Sequence, residues 1–460
     1  MQDVSDFTER MRQDTAWRSF LSDQAPDSAV TVTRAPGRID VMGGVADYSG
    51  ALVAQATIGE AAIVALTRRT DQIVRIWSVA DEGDARPIAE ISLDSFSHEG
   101  SLRDYSAIRA DFQADRDAHW ASYVAGCFFV LLAERIAPRF DSGANILLRS
   151  DVPAGAGVSS SAAIEVATMQ AIGAAYELNF DGVTLASLCQ IVENRVVGAP
   201  CGVMDQMTST LGTAGELLLL LCRPYEVHGT KPLPPDVRIY GVNSRIRHSV
   251  GGDAYTRARV AAFMGRKLLG VEYLAAIAPK VYRSDHMDRI PETVTGASFL
   301  AQYGETDDSV TRIDPETIYP VRAATSHAVF ENERVECFVE LLSRTEQMAS
   351  AMNQAGSLMY GSHWSFGQIG LGCPETDLLV NLARDAGASK GVYGAKITGG
   401  GCGGTVALLT YGDDGVEAVE EIAARYLAQT GLTAQVFLAG ASPGAAAFGP
   451  RTISRDLEEN

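Results

Sequence analysis

The sequence has little of what disulfide-stabilised, exported or membrane-spanning proteins contain. Its seven cysteines among 460 residues are an odd, scattered set without a CxxC pair, a pattern typical of reduced thiols in a cytoplasmic protein. No apolar run approaches the roughly 18 residues of a membrane span, and the N-terminal stretch MQDVSDFTERMRQD lacks the apolar core of an export signal. We therefore expect a cytoplasmic protein that does not bind a membrane.

Basic residues are scarce relative to acidic ones, with 38 Lys and Arg against 57 Asp and Glu and a net charge of −19. Nucleic acids and anionic membranes bind basic surfaces, so the charge argues against both partners. Hydrophobic residues make up 46% of the chain, which is enough for the cores of two domains. The Pro-rich stretch at 222–236 is a candidate boundary between them.

The most informative stretch is 151–176, DVPAGAGVSSSAAIEVATMQAIGAAY, in which a loop of small residues leads into a helical apolar pattern. A helix N-terminus presents unpaired N–H groups and positive potential, so it favours an anion. Gly155 and Gly157 let a phosphate approach the backbone, and the serines at 159–161 can cap the helix or reach a metal. A Gly-rich turn with a serine cap and no ligand is the alternative. No GxxxxGK[ST] occurs, which excludes a Walker-type loop.

A second polar motif, RAPGRIDVMGGVADYSG at 34–50, follows a predicted short strand. It predicts a Pro-Gly turn that carries Arg38, Asp40 and Asp47. A guanidinium and two carboxylates on one Gly-rich turn could bind a polyol. Taken alone, however, the motif favours a surface turn with a salt bridge.

Two further motifs lie near glycines. GAPCGVMDQMTSTLG at 198–212 ends one helix and begins another with Asp205 in its first turn; by itself such an Asp usually only complements the helix dipole. It gains interest from Glu193 and the serines nearby in the chain. KITGGGCGG at 396–404 contains GxGxxG but is followed by a strand, so it predicts a hairpin that presses its backbone against a ligand, and not a dinucleotide-binding fold.

Periodicity predicts several elements that carry no chemistry. These are paired strands at 61–67 and 73–78, an apolar core helix at 120–133 and one long amphipathic helix at 335–358. In the Arg-rich segment 243–259 we interpret His248 as a structural hydrogen-bonding residue. The chain ends in the acidic tail ISRDLEEN.

Taken together and in this order, the motifs resemble those of the GHMP kinase superfamily, and within it the galactokinase type, along nearly the whole chain. The resemblance rests on APGR at 35–38, DY at 47–48, PAGAGVSSSAA at 153–163, EN at 193–194, GAPCGVMDQ at 198–206, NSRIRHS at 243–249 with Tyr255, HAVFENERV at 327–335 and KITGGGCGG at 396–404. It implies an α+β fold with a ribosomal-protein-S5-like domain over 1–225 and a ferredoxin-like domain over 226–460. The active site would lie in the cleft between the domains, and 275–335 would be an insertion.

The resemblance also implies an ATP-dependent sugar 1-kinase with Mg²⁺ as cofactor, a small-molecule sugar and ATP as partners, and a monomeric or homodimeric state. ATP would be bound by Pro153, Gly155, Ala156, Gly157, Val158, Ser159, Ser160 and Ser161, with Gly400 and Gly401 from the second domain. Mg²⁺ would be held by Glu193 and Ser161, with Ser160 as the alternative serine. Asp205 and Arg38 would be catalytic, and the sugar would contact Asp47, Asp40, Gly44, Val45, Gly202 and Tyr255.

The chain departs from the family pattern at 43–48, where galactokinases usually read GEHTDY and this sequence reads GGVADY. The acid and imidazole that would meet the 6-hydroxyl of the sugar are replaced by Gly44 and Val45, while Asp47 remains. A buried polar group without a partner is costly, so a site for a sugar that lacks this hydroxyl should discard those side chains.

L-Arabinopyranose has the ring configuration of galactose without the hydroxymethyl arm. The strings IDVMGGVADYSGALV and AGSLMYGSHWSFGQIGLG are also similar to the kinase portion of plant L-arabinokinases. We therefore predict phosphorylation of L-arabinose at its anomeric hydroxyl. The alternatives are a galactokinase, a kinase of another hexose or of a uronic acid, and a non-catalytic sensor of sugar and ATP.

Overall fold

The computed structural model describes residues 1–25, 29–79, 87–115, 119–246, 253–344 and 348–453. His248 and nearly all of the acidic tail lie outside these residues. The first part of the chain forms strands β1 (Val30–Met42), β2 (Leu52–Arg68), β3 (Ile73–Ser78), β4 (Ala89–Ser92), β5 (Ser97–His98), β6 (Ser101–Leu102), β7 (Ala144–Ser150), β8 (Glu216–Leu221) and β9 (Glu226–Pro232). Its helices are α1 (Gln2–Gln13), α2 (Thr15–Ser22), α3 (Tyr105–Ala114), α4 (Ser122–Ala133), α5 (Ser160–Ala175), α6 (Gly182–Ile191) and α7 (Met204–Leu211).

The second part of the chain forms strands β10 (Val237–Asn243), β11 (Val294–Thr295), β12 (Ile318–Tyr319), β13 (Val392–Ile397), β14 (Thr405–Tyr411), β15 (Gln435–Leu438) and β16 (Arg451–Ile453). Its helices are α8 (Asp253–Leu269), α9 (Pro279–Val281), α10 (Gly296–Tyr303), α11 (Val321–Leu341), α12 (Met348–Gln368), α13 (Pro374–Ala386), α14 (Gly412–Thr430) and α15 (Ala445–Phe448). Among the described helices, none combines the length and apolar composition needed to cross a bilayer.

The first sheet has eight strands in the order β16-β1-β2-β7-β3-β4, with β8 beside β2 and β9 beside β8. The long strand β2 pairs with β7 through residues 62–68 and with β8 through residues 52–55. The predicted pairing of 61–67 with 73–78 is therefore wrong: both strands exist, but β7 lies between them. The first five residues of the apolar strand β7 are buried between them.

Strand β1 continues through Pro36 and Gly37, so the Pro-Gly turn predicted there is wrong. Its pairing with β2 shifts between Pro36 and Arg38 and again between Asp40 and Met42, and such bulges accommodate proline within a sheet. A Cβ at Gly37 would lie 2.6 Å from the carbonyl oxygen of Val158. The glycine therefore lets β1 touch the Gly/Ser loop and carries Arg38 to that loop.

The second sheet is antiparallel, in the order β13-β14-β10-β15, and α13 and α14 supply a buried apolar face against it. The strand–glycine loop–strand hairpin predicted at 396–411 is confirmed as β13 and β14. Strand β9 pairs with β8, so the chain leaves the first sheet after Pro232 and enters the second sheet at Val237. Strand β16 then returns to the first sheet beside β1.

The helices supply the core between and around the sheets. The apolar helix predicted at 120–133 is confirmed as α4, with Phe128 and Phe129 fully buried. The single long helix predicted at 335–358 is wrong, since α11 ends at Leu341 and α12 begins at Met348. These two helices pack on each other. The periodicity of apolar residues continues through both helices, and it contains no signal for the reversal of chain direction between them.

Candidate active site

A cleft of about 760 Å³ opens between the parts of the chain that carry the two sheets, which is a usual size for a small-molecule site. Most of its wall comes from the Gly/Ser loop, the start of α5 and the segment before α7. The second part of the chain contributes Tyr255, Gly399 and Gly400. Arg38, Asp205, Glu193 and Asp47, predicted from separate motifs, all line this cleft.

The carboxylate of Asp205 is fixed from two sides. Arg38 is only 2% exposed, and its Nε and Nη2 donate to Asp205 Oδ1 at 2.9 and 2.7 Å. Ser159 donates its hydroxyl to Asp205 Oδ2 at 2.7 Å. The Asp205 side chain keeps 20% of its surface exposed, so a rigidly held carboxylate faces the cleft with lone pairs to spare.

The same hydroxyl explains why the start of α5 can bind an anion. Ser159 is the N-cap residue but makes no side-chain capping bond within the described structure, because its oxygen is turned to Asp205. Its φ of +62° lies in the left-handed region, which costs a residue with a side chain about 1–2 kcal/mol. The first-turn N–H groups are left without this cap, beside Ser160 and Ser161 of the cleft wall.

The glycine hairpin of the second sheet packs directly on the Gly/Ser loop. A Cβ at Gly399 would lie 2.7 Å from the Gly157 carbonyl oxygen, so glycine is required for this approach. Thr405 donates its hydroxyl to the Ala156 carbonyl oxygen at 2.8 Å, and Arg38 Nη1 donates to the Gly157 carbonyl oxygen at 2.7 Å. These contacts fix the backbone of the loop from both sheets.

Glu193 and Ser161 form the polar group on which a divalent cation could bind. Glu193 is 3% exposed, and burial together with the charge of Asp205 raises its pKa to about 7, against hydrogen bonds from Ser161, Cys201 and Gln206. Mg²⁺ is usually held by one or two protein oxygens plus phosphate and water, and its charge favours an ionised carboxylate. Glu193 and Ser161 therefore fit a Mg²⁺ ion bound together with phosphate.

Asp47 is another buried carboxylate of the cleft wall. It is 4% exposed, and its Oδ1 has no hydrogen-bond partner among the described residues. Burial and the charge of Asp205 raise the pKa of Asp47 to about 6. Gly202 packs on this carboxylate so closely that a Cβ there would lie 1.6 Å from Oδ2. A buried, unpaired acceptor in a cleft is suited to bind a ligand hydroxyl.

Val45 and Tyr255 complete the walls beside Asp47. Val45 is 3% exposed and has a φ of +60°, a conformation that is an outlier for a β-branched residue. Tyr255 is 7% exposed and packs edge-on against Tyr48, with ring centroids 6.3 Å apart. The wall beside Asp47 is therefore formed by an aliphatic and an aromatic side chain.

Two residues predicted to contact the sugar do not line the cleft. Asp40 is fully buried, with its Oδ2 2.6 Å from Lys396 Nζ and its Oδ1 2.7 Å from Gln55 Nε2. Gly44 lies behind the wall, where a Cβ would come within 2.3 Å of Asp40 Oδ2. Both predictions of direct contact are corrected, because β13 of the second sheet covers β1 at this point and supplies the lysine.

The residues predicted to bind phosphate fall into two groups, those that line the cleft and those that lie behind its wall. Pro153, Gly155, Gly157, Ser159, Ser160, Ser161 and Gly400 line the cleft. Ala156 and Val158 are buried behind the loop and act there through their carbonyl oxygens, which accept from Thr405 and the Arg38 N–H. Gly401 packs against Leu371, so its place is behind the hairpin and outside the cleft wall.

One end of the cleft carries residues that the sequence did not reveal. Trp120 and Tyr123 line it at the start of α4, together with Ser78, Gln113, His119, Leu148 and Ile164. Trp120 was predicted to be a core residue and is instead half-buried at the cleft. In the sequence, the aromatic Trp120 next to the polar His119 was the available signal for a site here. The other residues that line this end of the cleft come from strands and helices far apart in the chain.

Comparisons with known proteins agree with this geometry. The family model for the GHMP kinases N terminal domain matches residues 122–213, and the model for the GHMP kinases C terminal domain matches 338–428. The chain is 32% identical to galactokinase of Chloroflexus aggregans, over 90% of this chain and 92% of that protein. It is 38% identical to L-arabinokinase of Arabidopsis thaliana over 94% of this chain, which spans about half, 47%, of that longer protein.

Solved structures of a galactokinase and a mevalonate kinase share this fold. The structure of Lactococcus lactis galactokinase complexed with galactose superposes with a TM-score of 0.73 at 21% identity, over 98% of this chain and 100% of that one. A structure of L. major mevalonate kinase in complex with R-mevalonate gives 0.53 at 17% identity, over 92% of this chain and 99% of that one. The chain belongs to the GHMP kinase family, and the predicted two-domain GHMP fold is confirmed. Within this family it is a sugar kinase of the galactokinase type.

Proposed function

We propose that the protein transfers the γ-phosphoryl group of ATP to the anomeric hydroxyl of L-arabinose, giving L-arabinose 1-phosphate and ADP. The observation that carries the choice of sugar is the wall beside Asp47. Val45 presents an aliphatic side chain there, and position 44 has no room for any side chain because Asp40 Oδ2 occupies that space.

A hydroxymethyl arm pointing at Val45 would bring a hydroxyl against methyl groups, and a hydroxyl buried without a partner is penalised. A pentopyranose carries a hydrogen in place of that arm. Asp47 remains as the acceptor for ring hydroxyls that both sugars share. The 38% identity to a protein named L-arabinokinase supports the same choice, whereas the galactokinase relatives make D-galactose the second candidate.

The reaction needs the anomeric oxygen to attack the γ-phosphorus while the bond from that phosphorus to ADP breaks. In our proposal the sugar C1 hydroxyl donates to the exposed face of Asp205, which orients the oxygen and accepts its proton. Arg38 and Ser159 hold this carboxylate in one orientation, so orientation is set before the substrates bind.

The phosphates of ATP would lie against the first-turn N–H groups of α5, with Ser160 and Ser161 as further donors. Glu193 and Ser161 would hold Mg²⁺, which when bound would neutralise phosphate charge. The base of ATP would occupy the end lined by Trp120 and Tyr123, since a flat aromatic ring suits a side chain of the same kind.

The choice of sugar is tested by initial rates with L-arabinose and D-galactose at saturating ATP. We expect kcat/KM for L-arabinose to exceed that for D-galactose by at least about tenfold, as one misplaced polar group costs 1–3 kcal/mol. A tenfold preference for D-galactose would refute the proposal. Binding of either sugar without ADP release would instead indicate a sensor.

The position of the nucleotide is tested by replacing Trp120 with leucine. Loss of an aromatic surface against a base is worth about 1–3 kcal/mol, so KM for ATP should rise about tenfold while KM for the sugar stays within twofold. Phe129 lies on α4 and is buried in the core. Phe129→Leu is the matched control, and it should lower thermal stability without a selective rise in KM for ATP. An unchanged KM for ATP in Trp120→Leu would place the base elsewhere.

A further inference from the structure

A buried ion pair lies directly behind the sugar end of the cleft. Arg259 of α8 is 5% exposed and Asp308 is 3% exposed. Nε and Nη2 of Arg259 donate to the two carboxylate oxygens of Asp308 at 2.7 and 2.9 Å. Asp308 also accepts from the Thr311 hydroxyl at 2.6 Å and the Val310 N–H at 3.1 Å. The weakly periodic segment 275–335 therefore clamps this arginine in a single orientation.

The remaining contacts of Arg259 lead to the sugar site. Its Nη1 donates to the Cys201 carbonyl oxygen at 3.2 Å, and Cys201 and Gly202 both line the cleft. Its guanidinium lies 5.1 Å from the ring centroid of Tyr48, the residue that follows Asp47. Since Gly202 packs on the Asp47 carboxylate, Arg259 contacts the backbone on one side of that carboxylate and the Tyr48 ring on the other.

Stability alone is a weak reason for such a pair. Removing two charges from water costs several kcal/mol, and apolar residues of similar volume often replace a buried ion pair without loss of stability. The Arg266–Asp307 pair joins the same helix to the same loop at the surface, so the connection does not need a buried charge. The burial of Arg259 is explained if its charge and its hydrogen bonds act on the cleft.

The charges around Asp47 give Arg259 a second means of action. Burial and the negative charge of Asp205 raise the pKa of Asp47, and a hydrogen bond from the Tyr48 N–H and the charge of Arg259 oppose them. Among the described residues, the titratable and charged groups that face Asp47 are Asp205, Asp40, Arg259, Tyr48, Tyr255, Cys222 and Tyr225. Arg259 is the cation in this set, which is otherwise made of acids, phenols and a thiol.

We propose that Arg259, oriented by Asp308, is a positioning residue for sugar binding: it holds the Cys201–Gly202 turn and Tyr48 behind Asp47 and places a positive charge near that carboxylate. The segment 275–335 is then part of the sugar-binding structure. This inference rests on the proposed role of Asp47 in sugar binding, and it holds for whichever neutral pyranose is the substrate.

The test uses the full-length protein with the double substitution Arg259→Met and Asp308→Leu, which removes both charges and leaves no unpaired partner. We expect KM for the sugar to rise about tenfold while KM for ATP stays within twofold. The acid limb of the pH profile of kcat/KM for the sugar should move to higher pH, because a nearby cation no longer favours ionised Asp47. The matched control is Arg266→Met with Asp307→Leu, which removes the surface pair and should change neither quantity.

A second variant separates charge from geometry. Arg259→Lys keeps a cation but cannot make the fork of hydrogen bonds, so KM for the sugar should rise while the acid limb stays in place. This variant also decides the matter if the double substitution fails to fold in a thermal melt. The inference would be overturned if both variants fold and keep the wild-type KM for the sugar and the wild-type pH profile. If only Arg259→Lys folds, the same result in that variant alone would overturn it. A wild-type protein that phosphorylates no sugar would instead overturn the proposed function.

Discussion

Replacing Asp205 with asparagine is expected to lower kcat by about 10³-fold, within the range for loss of a proton-accepting group. The amide has the same shape but cannot take the proton of the anomeric hydroxyl, and its NH₂ group would meet the donors of Arg38 or Ser159. Steady-state ADP release at saturating sugar and ATP measures the change. KM for ATP should stay within a fewfold, because Asp205 lies outside the predicted phosphate contacts.

Ser159→Ala is the matched control for this prediction. It removes one hydrogen bond to Asp205 but leaves the carboxylate and both donors from Arg38, so kcat should fall by no more than about tenfold, as for a single hydrogen bond. Equal losses in the two variants would mean that placement of the carboxylate matters more than proton acceptance. A kcat within tenfold of wild type in Asp205→Asn would contradict the proposed role of Asp205.

Replacing Asp47 with asparagine is expected to lower kcat/KM for the sugar by about 10²–10³-fold, since a charged acceptor in a buried site contributes more than a neutral one. The same change should stabilise the free protein at pH 8. The pKa of Asp47 is raised from 3.8 to about 6 by burial and by the charge of Asp205. Folding therefore favours the protonated form, and the charged form costs about 3 kcal/mol above pH 6.

The size of this effect depends on pH and can be measured by urea unfolding of wild type and Asp47→Asn. As pH falls from 6 towards 4, wild-type Asp47 becomes protonated in the folded state and the cost disappears, so the gain in the variant should shrink towards zero. Asp40→Asn is the matched comparison, since Asp40 is equally buried but paired with Lys396. Breaking that pair should destabilise the protein at pH 8. A destabilised Asp47→Asn at pH 8 would contradict the prediction.

The central part of the site could be predicted from the sequence because its chemistry depends on local order. A loop of small residues and serines before a helix predicts an anion site, and α5 begins at Ser160 as that order requires. The family resemblance implied that Arg38 and Asp205 are both catalytic, and the structure has the two side chains hydrogen bonded across 167 positions. Chain order alone could not supply that distance.

The prediction for Asp40 fails because a distant element buries this residue. Asp40 is two residues beyond Arg38 on β1, about 7 Å further along the strand, and Lys396 covers it there. Trp120 fails in the opposite sense, because an apolar helix pattern predicts a core position while the cleft opens beside its first turn. Neither outcome is encoded near the residue concerned, since each depends on a partner far away in the chain.

The contact between Gly44 and Asp40 determines the order in which substitutions can change the sugar preference of such a protein. A side chain at position 44 cannot be added while the Asp40 carboxylate lies 2.3 Å from its Cβ, and Asp40 cannot be removed without leaving Lys396 uncompensated. Any mutational route to a longer sugar therefore has to alter positions 40 and 396 before position 44. Substitutions at these three positions are expected to show strong epistasis, and a glycine at 44 is expected to accompany an acid at 40 among relatives with this wall.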